Sequence, residues 1–236
     1  MIFNIYGKAL AVLAKKPFRL WGISLLSVLF VFLGYVLGGP VVAIGLAIQY
    51  LITGSMANIY LKGYRGVGEI HVVDIFSTFK DWKTVKRVAC SLAWADLWIL
   101  LWSLIPFVGF IFAIIRTYEY AFVPYIIMER EEVGITEAKD ESKKLTNGYK
   151  SKMFWAEILF VVIIVAAAII LGLLARIPYI GFIFGIALFL LILCVLAFGT
   201  LFLNLVRAAF YEEATNAGKA VTADAAPEAP AEQPQA

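Results

Sequence analysis

The sequence predicts an all-α polytopic membrane protein, with six transmembrane helices as three hairpins and amphipathic helices on the cytoplasmic side. Three observations lead there. The 236 residues are 62% hydrophobic with a mean hydropathy of +0.88, well above the roughly 45–50% apolar content of soluble domains. Apolar stretches recur at 18–38, 40–60, 88–105, 107–128, 154–174 and 179–205, each close to the ~20 residues that a helix needs to cross a ~30 Å hydrocarbon core. Lysine and arginine gather at alternate connections between them.

The first stretch exceeds the roughly 7–15 apolar residues of a signal peptide, and no A-x-A site follows it, so it reads as a span. Gly38-Gly39-Pro40 turns the chain into the second. Lys8, Lys15, Lys16 and Arg19 precede the first span. Lys62, Arg65, Lys80, Lys83, Lys86 and Arg87 separate the second from the third. Arg130, Lys139, Lys143, Lys144, Lys150 and Lys152 separate the fourth from the fifth. The opposite connections carry Arg176 alone. Sixteen basic residues against one place both termini in the cytoplasm and leave three tight turns outside.

The cytoplasmic connections carry their own periodicity. Over 69–85, Val72, Phe76, Phe79 and Trp82 recur at three- and four-residue spacing, as in an amphipathic helix lying in the headgroup layer. Over 135–149, Ile135, Ala138, Leu145 and Tyr149 share a side. Acidic residues precede basic ones there, and Asn147-Gly148 supplies a stop. A third, less regular helix is expected over 3–16. From Ala214 the chain turns to Ala, Pro, Glu and Gln without apolar periodicity, so 1–213 reads as the membrane domain and 214–236 as a disordered cytoplasmic tail.

An internal repeat ties these elements together. Ile105-Pro106-Phe107-Val108-Gly109-Phe110-Ile111-Phe112-Ala113-Ile114 returns seventy-two residues later, beginning at Ile177-Pro178, with seven of ten positions identical. Gly39-Pro40 suggests a degenerate third copy. The repeating unit is an amphipathic helix followed by a hairpin, inserted the same way round each time. Proline is expected at the first position of each returning helix, where its missing N–H costs nothing. Gly109-x-x-x-Ala113, Gly181-x-x-x-Gly185, Ala168-x-x-x-Gly172 and Gly34-x-x-x-Gly38 offer small-residue stripes for close helix packing.

Ionisable residues in the spans cost ~2.5–3.5 kcal/mol each on insertion scales, which makes them functional suspects. Asp96, Arg116 and Glu119 form a candidate mid-membrane polar cluster. Asp96 and Arg116 stand ten positions on either side of Pro106, so equal depth predicts an ion pair, with Glu119 competing. Glu157 and Arg207 sit near span ends and read as snorkelling anchors. Pro124 is expected to kink the fourth span.

Chemistry finds little support. Cys90 and Cys194 read as packed thiols, and the lone His71 excludes clustered zinc-site spacing. There is no phosphate-binding glycine loop, no Ser/His/Asp constellation and no clustered basic nucleic-acid face. No enzymatic activity, cofactor or metal is expected. Membrane lipid and other membrane proteins are the expected partners.

The stretch from Trp102 to Lys150 resembles the uncharacterised bacterial integral membrane family numbered 975 among the domains of unknown function, related to the membrane domain of glycerophosphodiester phosphodiesterases. The matching residues are Ile105-Pro106 with Gly109, Tyr118 and Tyr120, Pro124-Tyr125-Ile126, Glu137-Ala138 and Ser142-Lys143-Lys144-Leu145. Gly148-Tyr149-Lys150, the later Phe210-Tyr211 and the earlier Phe76 with Phe79-Lys80 extend the match, and Thr146 departs from it where methionine is usual. The resemblance implies a six-helix protein of the bacterial cytoplasmic membrane. The phosphodiesterases' catalytic domain has no counterpart here. The function expected is that of a non-catalytic accessory or scaffold protein; the alternative is a transporter or lipid-translocating protein using Asp96, Arg116 and Glu119.

Overall fold

A computed structural model describes residues 1–15, 17–38, 42–106 and 108–224. Among these, all regular structure is helical. The elements are α1 (Ile2–Lys15), α2 (Pro17–Gly38), α3 (Val42–Arg65), a 3-10 helix (Val72–Phe79), α4 (Trp82–Ser103), α5 (Gly109–Glu119), α6 (Val123–Glu129), α7 (Ile135–Leu145), α8 (Lys150–Leu174) and α9 (Gly181–Asp224).

Among the described residues, four helical stretches are long and apolar enough to cross a membrane: Ile44–Arg65, Gly109–Glu129, Lys150–Leu174 and Gly181–Ala217. The count differs from six for physical reasons. Lys86, Arg87 and Asp96 all lie within α4 and dilute its apolar run. Helix α2 meets α1 at a 95° bend, and the two qualify only as a bent pair. Helices α2 and α3, α4 and α5, and α8 and α9 each pack against one another as sequence neighbours.

The fourth stretch is two helices. The chain leaves helical geometry at 120–122, and Pro124 is the second residue of α6. Proline disfavours a helical residue before it and offers no N–H to the preceding turn. The kink expected at Pro124 is thus a full break one turn earlier. It frees backbone groups that need partners, and α7 supplies them. Ser142 donates to the Glu119 carbonyl (2.7 Å) and accepts from the Phe122 N–H (3.2 Å), while Thr146 also donates to Glu119 O (3.4 Å). Ser142 and Thr146 are fully buried, so one face of α7 is docked into the protein beneath the break. Its start is fixed by the Glu137 carboxylate, which accepts the Gly134 N–H at 3.0 Å, and it is followed by Gly148 at φ +81°, where glycine relieves the left-handed strain.

The helix expected over 69–85 is shorter and tighter. Its core is the 3-10 helix, and Trp82 belongs to α4 beyond an interruption at Lys80-Asp81. The buried Thr78 hydroxyl donates to Leu51 O (2.9 Å) and lies 2.9 Å from Ser55 Oγ, riveting the segment to α3. Val72, Phe76, Phe79 and Trp82 are all exposed, on two elements rather than one. At α4 the Asp81 side chain caps the helix, accepting the Thr84 N–H (2.7 Å) and hydroxyl (2.8 Å). These bonds hold its carboxyl below the usual carboxylate range.

The repeat is structural as well as sequential. Val108 N–H bonds Pro106 O (2.8 Å) and Gly109 N–H bonds Ile105 O (2.9 Å). In the second copy Ile180 N–H bonds Pro178 O (2.9 Å) and Gly181 N–H bonds Ile177 O (2.8 Å). The prolines therefore belong to the turns, and each helix begins three residues later, at the glycine. A Cβ on Gly109 would stand 2.6 Å from Ser103 O, and one on Gly181 would collide with Ala175 O. Only glycine lets the returning helix start this close to the helix before it. The longer stripes do not follow: Gly185 faces open space and Gly172 only grazes Leu188. The Gly39-Pro40 copy and the side-chain contacts of Gly34 and Gly38 lie outside the described residues.

Burial is uneven along the helix axes. Ile5 and Ala9 of α1, Ile59 of α3, Val123–Ile127 of α6 and Leu205–Tyr211 of α9 form a tight core at the end expected to face the cytoplasm. Toward the outer turns, α8 from Ile158 to Leu173 and α9 from Phe182 to Leu196 expose large apolar side chains. Helix α9 continues through buried Ala214 and Thr215 to Asp224, so the expected tail is helical over 214–224; 225–236 lie outside the described residues. Cys90 and Cys194 are free, on exposed helix surface rather than packed.

Candidate functional site

Two of the three expected polar residues meet. Arg116 bonds the Glu119 carboxylate one turn along α5, and Lys150 Nζ of α8 reaches the other carboxylate oxygen at 2.7 Å. The guanidinium also lies over the Trp102 ring, 4.6 Å from its centroid, a favourable stacking for arginine. Asp96 is not part of this group. Its partner is the Tyr50 hydroxyl of α3. Equal distance from a turn fixes depth, not direction: Asp96 and Trp102 are six residues apart, about 240° round the helix. With Trp102 turned toward Arg116, Asp96 faces α3.

Glu157 and Arg207 are not separate anchors. Arg207 donates Nε to Glu157 at 2.7 Å, and the Tyr118 hydroxyl donates to the same carboxylate at 2.7 Å. Helices α5, α8 and α9 thus share one carboxylate. A third carboxylate, Glu129 at the end of α6, accepts from Arg65 of α3 (2.7 Å) and from the buried Tyr211 of α9. Arg65 bonds Glu212 as well. The sequence signal for these groups was weak, a glutamate and an arginine near the inner ends of adjacent spans.

Each of the three glutamates answers to at least one cation and one further donor, and each joins separate helices. A carboxylate so engaged escapes most of the desolvation that it would suffer alone, whereas loss of a partner strands a charge. The three lie toward the densely packed end, with the α7 hydroxyls binding Glu119 from below. Among the described residues, no three His, Cys, Asp or Glu side chains gather as metal ligands would.

Residues 109–217 match a family model described as protein of unknown function (DUF975). The matched segment runs from the start of α5 into α9 and includes Arg116, Glu119, Lys150, Glu157 and Arg207. No curated protein and no solved structure matches the chain. An all-helical protein with several helices apolar enough to cross a membrane is the class that fold and match define together.

Proposed function

We propose that the chain is a six-span, non-catalytic accessory protein of the bacterial cytoplasmic membrane, with both termini cytoplasmic. Helices α2, α3, α4, the broken α5–α6, α8 and α9 are its six crossings, and the exposed apolar side chains of Val72, Phe76, Phe79 and Trp82 meet the inner headgroup layer. The observation that carries the accessory role is the engagement of Glu119, Glu157 and Glu129 in multi-helix locks. A carboxylate that carries protons or ions through a membrane must change partners. These three are fastened between helices, as suits a rigid platform for lipid or other membrane proteins.

Orientation is tested by single cysteines at Ile180 and at Lys139 in a cysteine-free background. A membrane-impermeant maleimide on intact cells is expected to label position 180 and spare position 139; the reverse pattern overturns the orientation. Activity is tested in proteoliposomes carrying a fluorescent phospholipid. Leaflet exchange is expected to match protein-free vesicles, and protein-dependent exchange would favour translocation over the accessory role.

A further inference from the structure

Between α2, α3, α6 and α9 lies a cleft of about 330 Å³, within the roughly 300–1,000 Å³ range of small-molecule sites. Its lining is polar for a membrane domain: Ser24, Ser27, Thr53, Tyr60, Asn204 and Arg207 all face it. None of the residues singled out in the sequence as a polar cluster contributes. The Tyr60 hydroxyl lies between the side chains of Ser24 and Asn204, and Tyr125 donates to Asn204 O at 3.3 Å. Ser27 donates to Ser24 O (2.7 Å) and Thr53 to Gln49 O (2.8 Å). Arg207 spends Nε on Glu157, and among the described residues its two terminal nitrogens take no partner. A guanidinium with a donor edge left over is suited to a phosphate or carboxylate oxygen.

The mouth of the cleft says what kind of molecule enters. Val28, Thr53 and Thr200 are exposed there, and the surface continues over exposed Leu25, Leu29 and Phe32 of α2. A polar cavity whose rim runs directly into lipid-facing surface fits an amphiphile, head inside and chains along the helix. Depth agrees. On α3, Lys62 and Arg65 lie within about 8 Å of Tyr60 along the axis, which puts the Tyr60–Arg207 end of the cleft just inside the basic, densely packed end, with the Thr53 mouth deeper along the helix.

We propose that this cleft binds the phosphate headgroup of an anionic inner-leaflet phospholipid, the Arg207 terminal nitrogens holding a phosphate oxygen and the Asn204 amide and Ser24–Tyr60 hydroxyls facing the rest of the head. The leaflet assignment rests on the proposed orientation; the site itself does not. Arg207 and Glu157 neutralise each other, so the preference for phosphatidylglycerol over phosphatidylcholine comes from geometry: the Asn204 amide and the Ser24 and Tyr60 hydroxyls can bond a hydroxyl-bearing head but not a trimethylammonium one.

The test uses the purified full chain in mild detergent with added phosphatidylglycerol, phosphatidylcholine or soluble glycerol phosphate, read by native mass spectrometry and thermal shift. Phosphatidylglycerol is expected to remain at one molecule per chain through delipidation, at least tenfold more than phosphatidylcholine. Two variants should each lower that retention at least tenfold: Thr200→Phe, which fills the exposed mouth, and the paired Arg207→Gln with Glu157→Gln, which leaves no stranded charge. Lys152→Gln, away from the cleft, should leave it unchanged. Equal retention by wild type and both variants overturns the site. A thermal shift with glycerol phosphate alone, lost in the same variants, overturns the lipid as its source. Labelling of position 139 from outside the cell overturns the leaflet while leaving the detergent result standing.

Discussion

The Ser142 hydroxyl donates to the Glu119 carbonyl oxygen at 2.7 Å, joining the polar helix α7 to the broken end of α5. Because the Ser142 Oγ also accepts the Phe122 N–H at 3.2 Å, one side chain satisfies both edges of the break. Ser142→Ala leaves a buried carbonyl with only the longer Thr146 bond and a buried amide with no partner. Such groups cost ~1–3 kcal/mol, so a clear fall in detergent-solubilised melting temperature is expected. An unchanged melting temperature would mean that water takes the place of the hydroxyl.

Double-mutant cycles separate the observed partners of Arg116 from the expected one. Arg116→Gln with Glu119→Gln should show coupling, since the two side chains bond. Arg116→Gln with Asp96→Asn should be additive within ~0.3–0.5 kcal/mol, as for residues without a shared partner. Strong coupling in the second cycle would place Asp96 against Arg116 after all.

The turn glycines should divide sharply in tolerance. Gly109→Ala and Gly181→Ala drive a methyl into the carbonyls of Ser103 and Ala175, so each should lower the melting temperature. Gly185→Ala meets nothing within 4 Å and gains helix propensity, so it should be neutral or slightly stabilising. Equal losses at all three positions would contradict the described turn.

Asp81 provides a pH-dependent cap. Its carboxyl is held below the usual carboxylate range by the Thr84 amide and hydroxyl. The stabilisation is therefore complete above the unfolded carboxyl's pKa and is lost as pH falls through the lowered folded value. Amide hydrogen exchange at Thr84 and Val85 should quicken in Asp81→Asn relative to wild type near neutrality, and the difference should shrink in acid. A gap that persists in acid would point to a cause other than the charge.

Helix positions were legible because a long apolar run satisfies its backbone polar groups internally as helix, and the Ile-Pro-x-x-Gly repeat marked two turns that close with matching pairs of backbone bonds. Partners were not legible. Asp96 and Arg116 share a depth, but six residues of helical rotation between Asp96 and Trp102 turn the carboxylate away. The spacing of Val72, Phe76, Phe79 and Trp82 suited a helix of period 3.6, yet Thr78 fastened to Ser55 winds the segment tighter and ends it before Trp82. The cleft escaped notice because its lining is drawn from distant segments, with single polar residues that look unremarkable in each.

Helices α5 and α8, tied together by the Lys150–Glu119 bond, differ in reach. At 1.5 Å per residue α8 is about 37 Å long and α5 about 16 Å, and the outer length of α8 is scarcely held by protein neighbours. In the proposed six-span arrangement, a bilayer that thickens or thins meets a fixed base and one long arm, so hydrophobic mismatch is absorbed by tilting that arm rather than by deforming the ion-locked core.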